Sequence, residues 1–226
     1  MSGSVPARAR HVAIITDGNG RWAQARGLSV VEGHREGADT VKARLRDAVD
    51  LGVRELTVYS FSTENWSRSD EEVAALMGMF SQRILGETPE LHAEGVRMRF
   101  VGRREGVRPE LVEQMAWAEG HTAANERITL YVAFNYGGRA EIVDAAARYD
   151  GGGEEAFRRL LYAPEMHDPD LVIRTSGERR LSNYLLWQSA YSELVFRDEL
   201  WPDFSREAFE ESLAEFEARR RRFGGR

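Results

Sequence analysis

The chain of 226 residues contains no cysteine. That excludes a disulfide scaffold, a thiolate zinc site and a cysteine nucleophile, and leaves carboxylate, histidine or phosphate oxygen to hold any metal. There is a single lysine, Lys42, and no apolar run near the roughly 18 residues that would span a bilayer. A basic excess is missing as well: the formal net charge is −6, which argues against nucleic acid as a partner. Met1–Arg10 lacks the apolar centre of a secretory signal and reads as a short disordered arm, so a cytoplasmic enzyme is expected. No internal repeat and no interdomain linker stand out; Asp150-Gly151-Gly152-Gly153 is too short to be one. One domain is expected over residues 11–226, long enough to bury a single core.

What the chain does have is alternation. Strand-like apolar runs recur at Val12–Ile15, Leu56–Ser60, Met98–Val101, Ile128–Phe134, Leu171–Ile173 and, more briefly, Leu194–Phe196. Between most of them lie helical patterns at Glu36–Leu51, Asp70–Leu85 and Pro109–Ala124, and Phe204–Phe223 closes the chain as an amphipathic helix, acidic first and then basic. This order predicts an α/β domain, a mostly parallel central sheet flanked by helices with right-handed crossovers.

Three strand ends concentrate polar chemistry. Ile15-Thr16-Asp17-Gly18-Asn19-Gly20-Arg21-Trp22 offers a carboxylate for a hard cation, two glycines that let backbone N–H groups approach an anion, and an arginine fork suited to phosphate. Taken alone, such a loop is equally a strand-to-helix turn with an Asx cap. Tyr59-Ser60-Phe61-Ser62-Thr63-Glu64-Asn65-Trp66-Ser67-Arg68 mixes aromatics with an amide and an arginine, as a ligand part apolar and part anionic requires. Arg174-Thr175-Ser176-Gly177-Glu178-Arg179-Arg180-Leu181-Ser182-Asn183 repeats the theme of arginine and serine donors after a strand. Together the three supply cationic donors for two diphosphates. His34 falls near an expected helix start, where the macrodipole favours an anion, although a lone histidine is more often a solvated or capping residue.

These residues resemble the cis-prenyltransferases, whose best-known type is undecaprenyl diphosphate synthase. HVAIITDGNGRWA, GHREG, YSFSTENWSR, FNYGGRAEI, DLVIRTSGERRLSNYLLWQSAYSEL, LWPDF and RRRFGG each resemble a family motif, in the family's order, from His11 to Gly225. The resemblance implies a homodimer with an elongated apolar cleft above a parallel sheet, acting on prenyl diphosphates with Mg²⁺. By the same resemblance Asp17, Gly18, Asn19, Gly20, Arg21, His34 and Arg68 hold the allylic diphosphate. Arg174, Arg180 and Ser182 hold the second one, Asp17 and Glu193 serve the metal, and Asn65 stands beside the reacting carbons. Trp22, Phe61, Trp66, Phe80 and Phe134 shape the apolar cleft, and Arg222 and Gly224 reach the partner's second site. The chemistry is consistent: ionising an allylic C–O bond needs cations at the leaving group and a dry groove around the prenyl fragment. Holding both reactants contributes roughly 7 kcal/mol or more.

The chain departs from that pattern at two places. Val30 stands where long-chain relatives carry an arginine for the allylic diphosphate, a charge-assisted bond of roughly 1.5 to 3 kcal/mol. Arg83 adjoins the apolar stripe of the third helix, and Phe134 precedes Asn135 where some relatives have smaller residues. A charge in a hydrocarbon tunnel is expensive to desolvate, so a short product is expected unless Arg83 turns out to solvent. Both departures fit a lavandulyl-type enzyme that couples dimethylallyl diphosphate head-to-middle with geranyl or dimethylallyl diphosphate. The alternatives are regular head-to-tail addition of isopentenyl diphosphate, giving a Z-prenyl product, and a non-catalytic partner subunit, against which Asp17, Asn65, Arg174, Arg180 and Glu193 all speak.

Overall fold

The structure, a computed structural model, describes residues 9–219. Six parallel strands form one sheet: β1 (His11–Ile15), β2 (Glu55–Ser62), β3 (Val96–Val101), β4 (Ile128–Tyr136), β5 (Leu171–Arg174) and β6 (Glu193–Phe196). Helices α1 (Asn19–Ala25), α2 (Val30–Asp50), α3 (Asp70–Ala93), α4 (Pro109–His121), α5 (Gly138–Ala146), α6 (Gly153–Arg158) and α7 (Arg206–Ala218) surround it. The strand order is β3-β4-β2-β1-β5-β6.

All five residues of β1 are buried, because this central strand is covered on both faces. Its period of two sends Val12 and Ile14 into the larger core, with α2, α3, α4 and α7, and Ala13 and Ile15 into a second core with Tyr131, Tyr136 and Tyr184. The chain builds outward from β1 through β2 on one side and β5 on the other. The switch point of the sheet is therefore between β1 and β5, and parallel sheets bind ligands beyond the carboxyl ends of strands at such a point.

Every expected strand is present, and the helices differ at their ends. Helix α2 starts at Val30, ahead of Glu36, because Ser29 and Glu32 form a capping box. His34 is accordingly the fifth residue of a helix, away from the dipole end. Helix α3 continues past Leu85 to Ala93 through Pro89; the carbonyl that loses its partner belongs to the half-exposed Leu85, where water can serve it. Helices α1, α5 and α6 are too short to leave a periodic signal. Ala9 is buried and Arg10 N donates to Asp170 Oδ2 at 2.8 Å, so these two residues of the expected arm are tied to the domain. Arg222 and Gly224 lie outside the described residues.

Candidate active site

Where β1 ends, Asp17 is fixed through its backbone: its N–H bonds Ile15 O and Thr175 Oγ1, and its carbonyl accepts from Thr175 Oγ1 and Trp201 N. Gly18 follows with φ of +115°, and a Cβ there would meet Leu200 at 2.9–3.1 Å. Glycine is required at this turn. Gly20 is different: it lies inside α1 with open space around it, so the conformational argument applies to the first glycine alone.

Arg174 stands at the end of β5, in register with Ile15, and is 4% exposed. Its Nη2 donates to Asp17 Oδ2 at 2.9 Å, while Nη1 donates to Ser182 Oγ at 2.7 Å and to the carbonyl of Arg180. Arg21 approaches the other oxygen, 3.6 Å from Asp17 Oδ1, and is anchored by Ser176 Oγ at 2.6 Å. Burial pushes the Asp17 carboxyl upward, but bonds from Arg174 and Ser176 and the charges of Arg174 and Arg21 prevail and hold it below the usual range. Asp17 is an anion at neutral pH. Arg180 reaches solvent, its guanidinium bonded to Glu178.

The loop after β2 folds into a 3₁₀ turn, Thr63–Ser67, capped by Asn65 Oδ1 accepting from Ser62 N at 2.9 Å. The cap leaves the Nδ2 donors of Asn65 to other acceptors. Arg68 leaves the turn, bonds Glu72, and donates to His34 Nε2 at 3.2 Å. Burial, with the charge of Arg68 added and that of Glu72 opposing, lowers the His34 pKa to about 4. The ring is neutral, and because Arg68 can only donate, its one proton belongs on Nδ1, which faces the Asn19 amide at 3.4 Å. Asn19 Oδ1 is buried without a partner; turning that amide over brings it to the imidazole proton. Two glycines one turn apart make this contact possible: a Cβ on Gly33 would stand 2.3 Å from Asn19 O, and one on Gly37 2.3 Å from Asn19 Oδ1.

Below His34 and Thr16 opens a cavity of about 110 Å³ between α2, α3 and the sheet. Val41, Phe80, Ile84, Leu91, Phe100 and Val132 give it an apolar wall. From Phe80 to Leu91 it follows twelve residues of α3, a rise of about 16 Å. Arg83 and Glu87 are the charged residues of the wall. Arg83 bonds Asp39 at 2.5 Å, Glu87 at 2.6 Å and the carbonyl of Arg35 at 3.0 Å, so its charge is held in a bridge between α3 and α2, neither free in solvent nor alone in the groove.

Other expected residues lie elsewhere. Phe61 and Phe134 are buried against each other outside the lining, with Phe80 edge-on to Phe134. Trp66 crosses Phe61 and donates to Asn135 Oδ1 at 2.7 Å. Trp22 bonds Asp203 at 2.8 Å under the guanidinium of Arg26, which is tied to the same carboxylate and does not replace the missing arginine at Val30. Glu193 is paired with Leu171 at the opposite end of β5, about 10 Å of strand from Arg174, and bonds Arg219 at 2.8 Å. It is not brought to Asp17. Sequence reasoning did not single out Gly37 or Trp201, whose indole lines the cavity and donates to Gly37 O at 2.8 Å; the i, i+4 glycines of α2 were the readable signal.

Two clusters of arginine and hydroxyl donors thus meet at one carboxylate above an apolar groove. Residues 15–224 match the prenyltransferase family model described as undecaprenyl diphosphate synthase. The chain belongs to the undecaprenyl diphosphate synthase family. Among similar prenyltransferases, the isoprenyl transferase of Thermotoga maritima is 48% identical, covering 96% of this chain and 97% of its own. Isoprenyl transferase 1 of Streptomyces coelicolor is 47% identical over 95% and 82%. Among solved structures, lavandulyl diphosphate synthase from Lavandula x intermedia, in complex with dimethylallyl diphosphate, superposes with a TM-score of 0.91 at 34% identity, over 96% of this chain and 98% of that one. A probable undecaprenyl diphosphate synthase from Campylobacter jejuni gives 0.83 at 27% identity, over 96% and 99%. This prenyltransferase has no helix, among its described residues, long and apolar enough to cross a membrane.

Proposed function

We propose that the protein adds isopentenyl diphosphate head-to-tail to an allylic diphosphate and stops at a short product. The observation that carries a two-diphosphate reaction is Arg174, buried and bonded to Asp17 on one side and Ser182 on the other. Its fixed fork keeps two anions adjacent without requiring water between them. Arg68, oriented by neutral His34, and Arg21 receive the allylic diphosphate; Arg180 and Ser182 receive the second. With the prenyl tail in the groove beside α3, the developing carbocation faces apolar wall and the departing charge faces arginine. The second alkene attacks, and loss of a proton restores neutrality. Asn65 cannot take that proton at neutral pH, and its role is to donate and position.

Mg²⁺ fits this donor set. Among the described residues no cluster of three or more acidic or histidine side chains exists to cage a metal, and Asp17 offers one ionised carboxylate at the anion site. Mg²⁺ takes one or two carboxylates and completes its shell with phosphate oxygen and water. When bound it supplies neutralisation of the leaving diphosphate. A homodimer belongs to the same reading, with β6 the edge strand of the sheet among the described residues and Glu193 on it.

Head-to-middle coupling is the second reading, favoured by Val30 and by the resemblance in shape to lavandulyl diphosphate synthase. The donors of the second pocket grip a diphosphate and not the five-carbon skeleton, so they serve isopentenyl and dimethylallyl diphosphate alike. The weight falls on the relatives that share nearly half their residues with this chain, which are named isoprenyl transferases. Incubation with Mg²⁺ and dimethylallyl diphosphate, alone or with isopentenyl or geranyl diphosphate, decides between them. A linear product that requires isopentenyl diphosphate supports the first reading; a branched product from dimethylallyl diphosphate alone transfers the assignment to the second.

A further inference from the structure

The loop that carries Ser182 is strained in an organised way. Ser182, Asn183 and Leu185 all have positive φ, of 46°, 64° and 41°. For residues other than glycine such conformations cost on the order of 1–3 kcal/mol each and persist where the surroundings over-determine them. Here the surroundings centre on Asn183. Its carbonyl accepts from Gly138 N at 2.7 Å and its Oδ1 from Arg139 N at 2.8 Å, which fastens the loop to the start of α5. Its Nδ2 reaches the other way and donates to Glu64 Oε1 at 2.7 Å. Glu64 is the residue before Asn65, in the same capped turn, and its second oxygen accepts from Thr63 Oγ1 at 3.2 Å. The space around the bond is full: a Cβ on Gly137 would stand 2.6 Å from Thr63 Oγ1 and 2.8 Å from Asn183 Nδ2.

From this we infer that Asn183 and Glu64 form a clasp that joins the second-diphosphate loop to the Asn65–Arg68 turn, acting as positioning residues for the condensation. The inference rests on the proposed two-pocket reaction. One end of the clasp adjoins Ser182 and the other adjoins Asn65, so a diphosphate that seats the loop also sets the turn. Neither side chain touches reacting atoms.

The clasp is tested first without turnover. Asn183→Gly keeps the left-handed backbone accessible and removes both side-chain bonds. Hydrogen exchange should accelerate at least about tenfold across residues 62–68 and remain unchanged in β1 and in the rest of β2. Unchanged exchange in the turn overturns the inference whatever the activity. Kinetics then read the coupling. Asn183→Gly and Glu64→Ala are each expected to lower kcat about tenfold and to raise KM for the second diphosphate, as for loss of a bond to a charged group. The double variant should be no slower than the slower single one. Glu64→Gln, which retains an oxygen acceptor, should recover most of the rate. Multiplicative losses, or a Gln variant as slow as the Ala one, overturn the clasp. An inactive wild-type enzyme with every substrate pair overturns the two-pocket function instead, and leaves the exchange result to judge the clasp.

Discussion

Arg174 and Asp17, from adjacent strands and 157 residues apart, meet at 2.9 Å with the arginine almost wholly buried. A buried guanidinium needs a fixed counter-charge, and a carboxylate so held stays ionised. The pair therefore fixes the guanidinium fork and keeps Asp17 ionised, as the proposed role of Asp17 toward a hard cation requires.

Asp17→Asn should still fold, because an amide oxygen can accept from Arg174, but with lower stability since the buried guanidinium loses its counter-charge. It should lower kcat by about 100-fold or more, the scale set by losing one preorganised electrostatic group. Product formation alongside a thermal melt checks it. Normal turnover in a folded variant refutes the role of Asp17.

Arg83→Leu combined with Glu87→Leu should lengthen the product. Arg83→Leu alone leaves the Glu87 carboxylate in the wall without its partner, whereas the double variant takes both charges of the bridge out of the cavity wall and leaves an apolar surface for the growing tail. Chromatography of the dephosphorylated products reads chain length directly. An unaltered distribution would mean that the bridge does not bear on where elongation stops.

Val30→Arg should strengthen allylic binding. Val30 is 40% exposed at the first position of α2, one turn before His34, so an arginine there has room to reach the first pocket. A charge-assisted bond of about 1.5 kcal/mol corresponds to a KM roughly tenfold lower. Steady-state kinetics in the allylic substrate test it; an unchanged KM places this position away from the diphosphate.

Gly37→Ala and Gly33→Ala should both destabilise the protein, by about 1–3 kcal/mol, because each added methyl collides with Asn19. Gly33→Ala should cost more, since it meets backbone oxygen and a side-chain amide can swing aside. Denaturant melts rank the two.

Acid should weaken the fold between pH 6.5 and about 4. His11 is buried and His34 half-buried, and both have the pKa lowered from 6.5 to about 4, desolvation being the largest cause for each. In that window the unfolded chain binds more protons than the folded one, so stability rises with pH, is complete above 6.5 and is lost progressively toward 4. Each contributes roughly 3 kcal/mol at most. Urea melts at pH 7 and pH 5 measure the sum, and a flat profile contradicts the desolvation of both rings.

The layered fold was legible because its signals are local. Each of the six strands is an apolar run, and α3 and α4 declare their inward faces by spacing; residues such as Val12 and Ile14 carry their partition in their own order. Short α1, α5 and α6 escaped notice because one or two turns produce no period. That Asp17, Arg21 and Arg174 follow strands, a carboxylate suited to a hard cation and guanidiniums suited to an anion, was readable, for the chemistry of a carboxylate or a guanidinium belongs to the residue itself.

Relations across the chain were not in the sequence. That Arg174 shares one carboxylate with Arg21, that Phe61 and Phe134 sit within the core while Phe80 faces the groove, that Glu193 stands at the far end of the strand from Asp17, and that Asn183 grips Glu64 depend on strand order, register and the few degrees by which a side chain leaves its backbone. Composition and periodicity determine which residues are buried and which elements form, since these follow from solvation and backbone geometry over a few residues. Which charges become neighbours is settled only when the sheet is assembled, because Coulomb and hydrogen-bond energies act over a few ångströms of space and not along the chain.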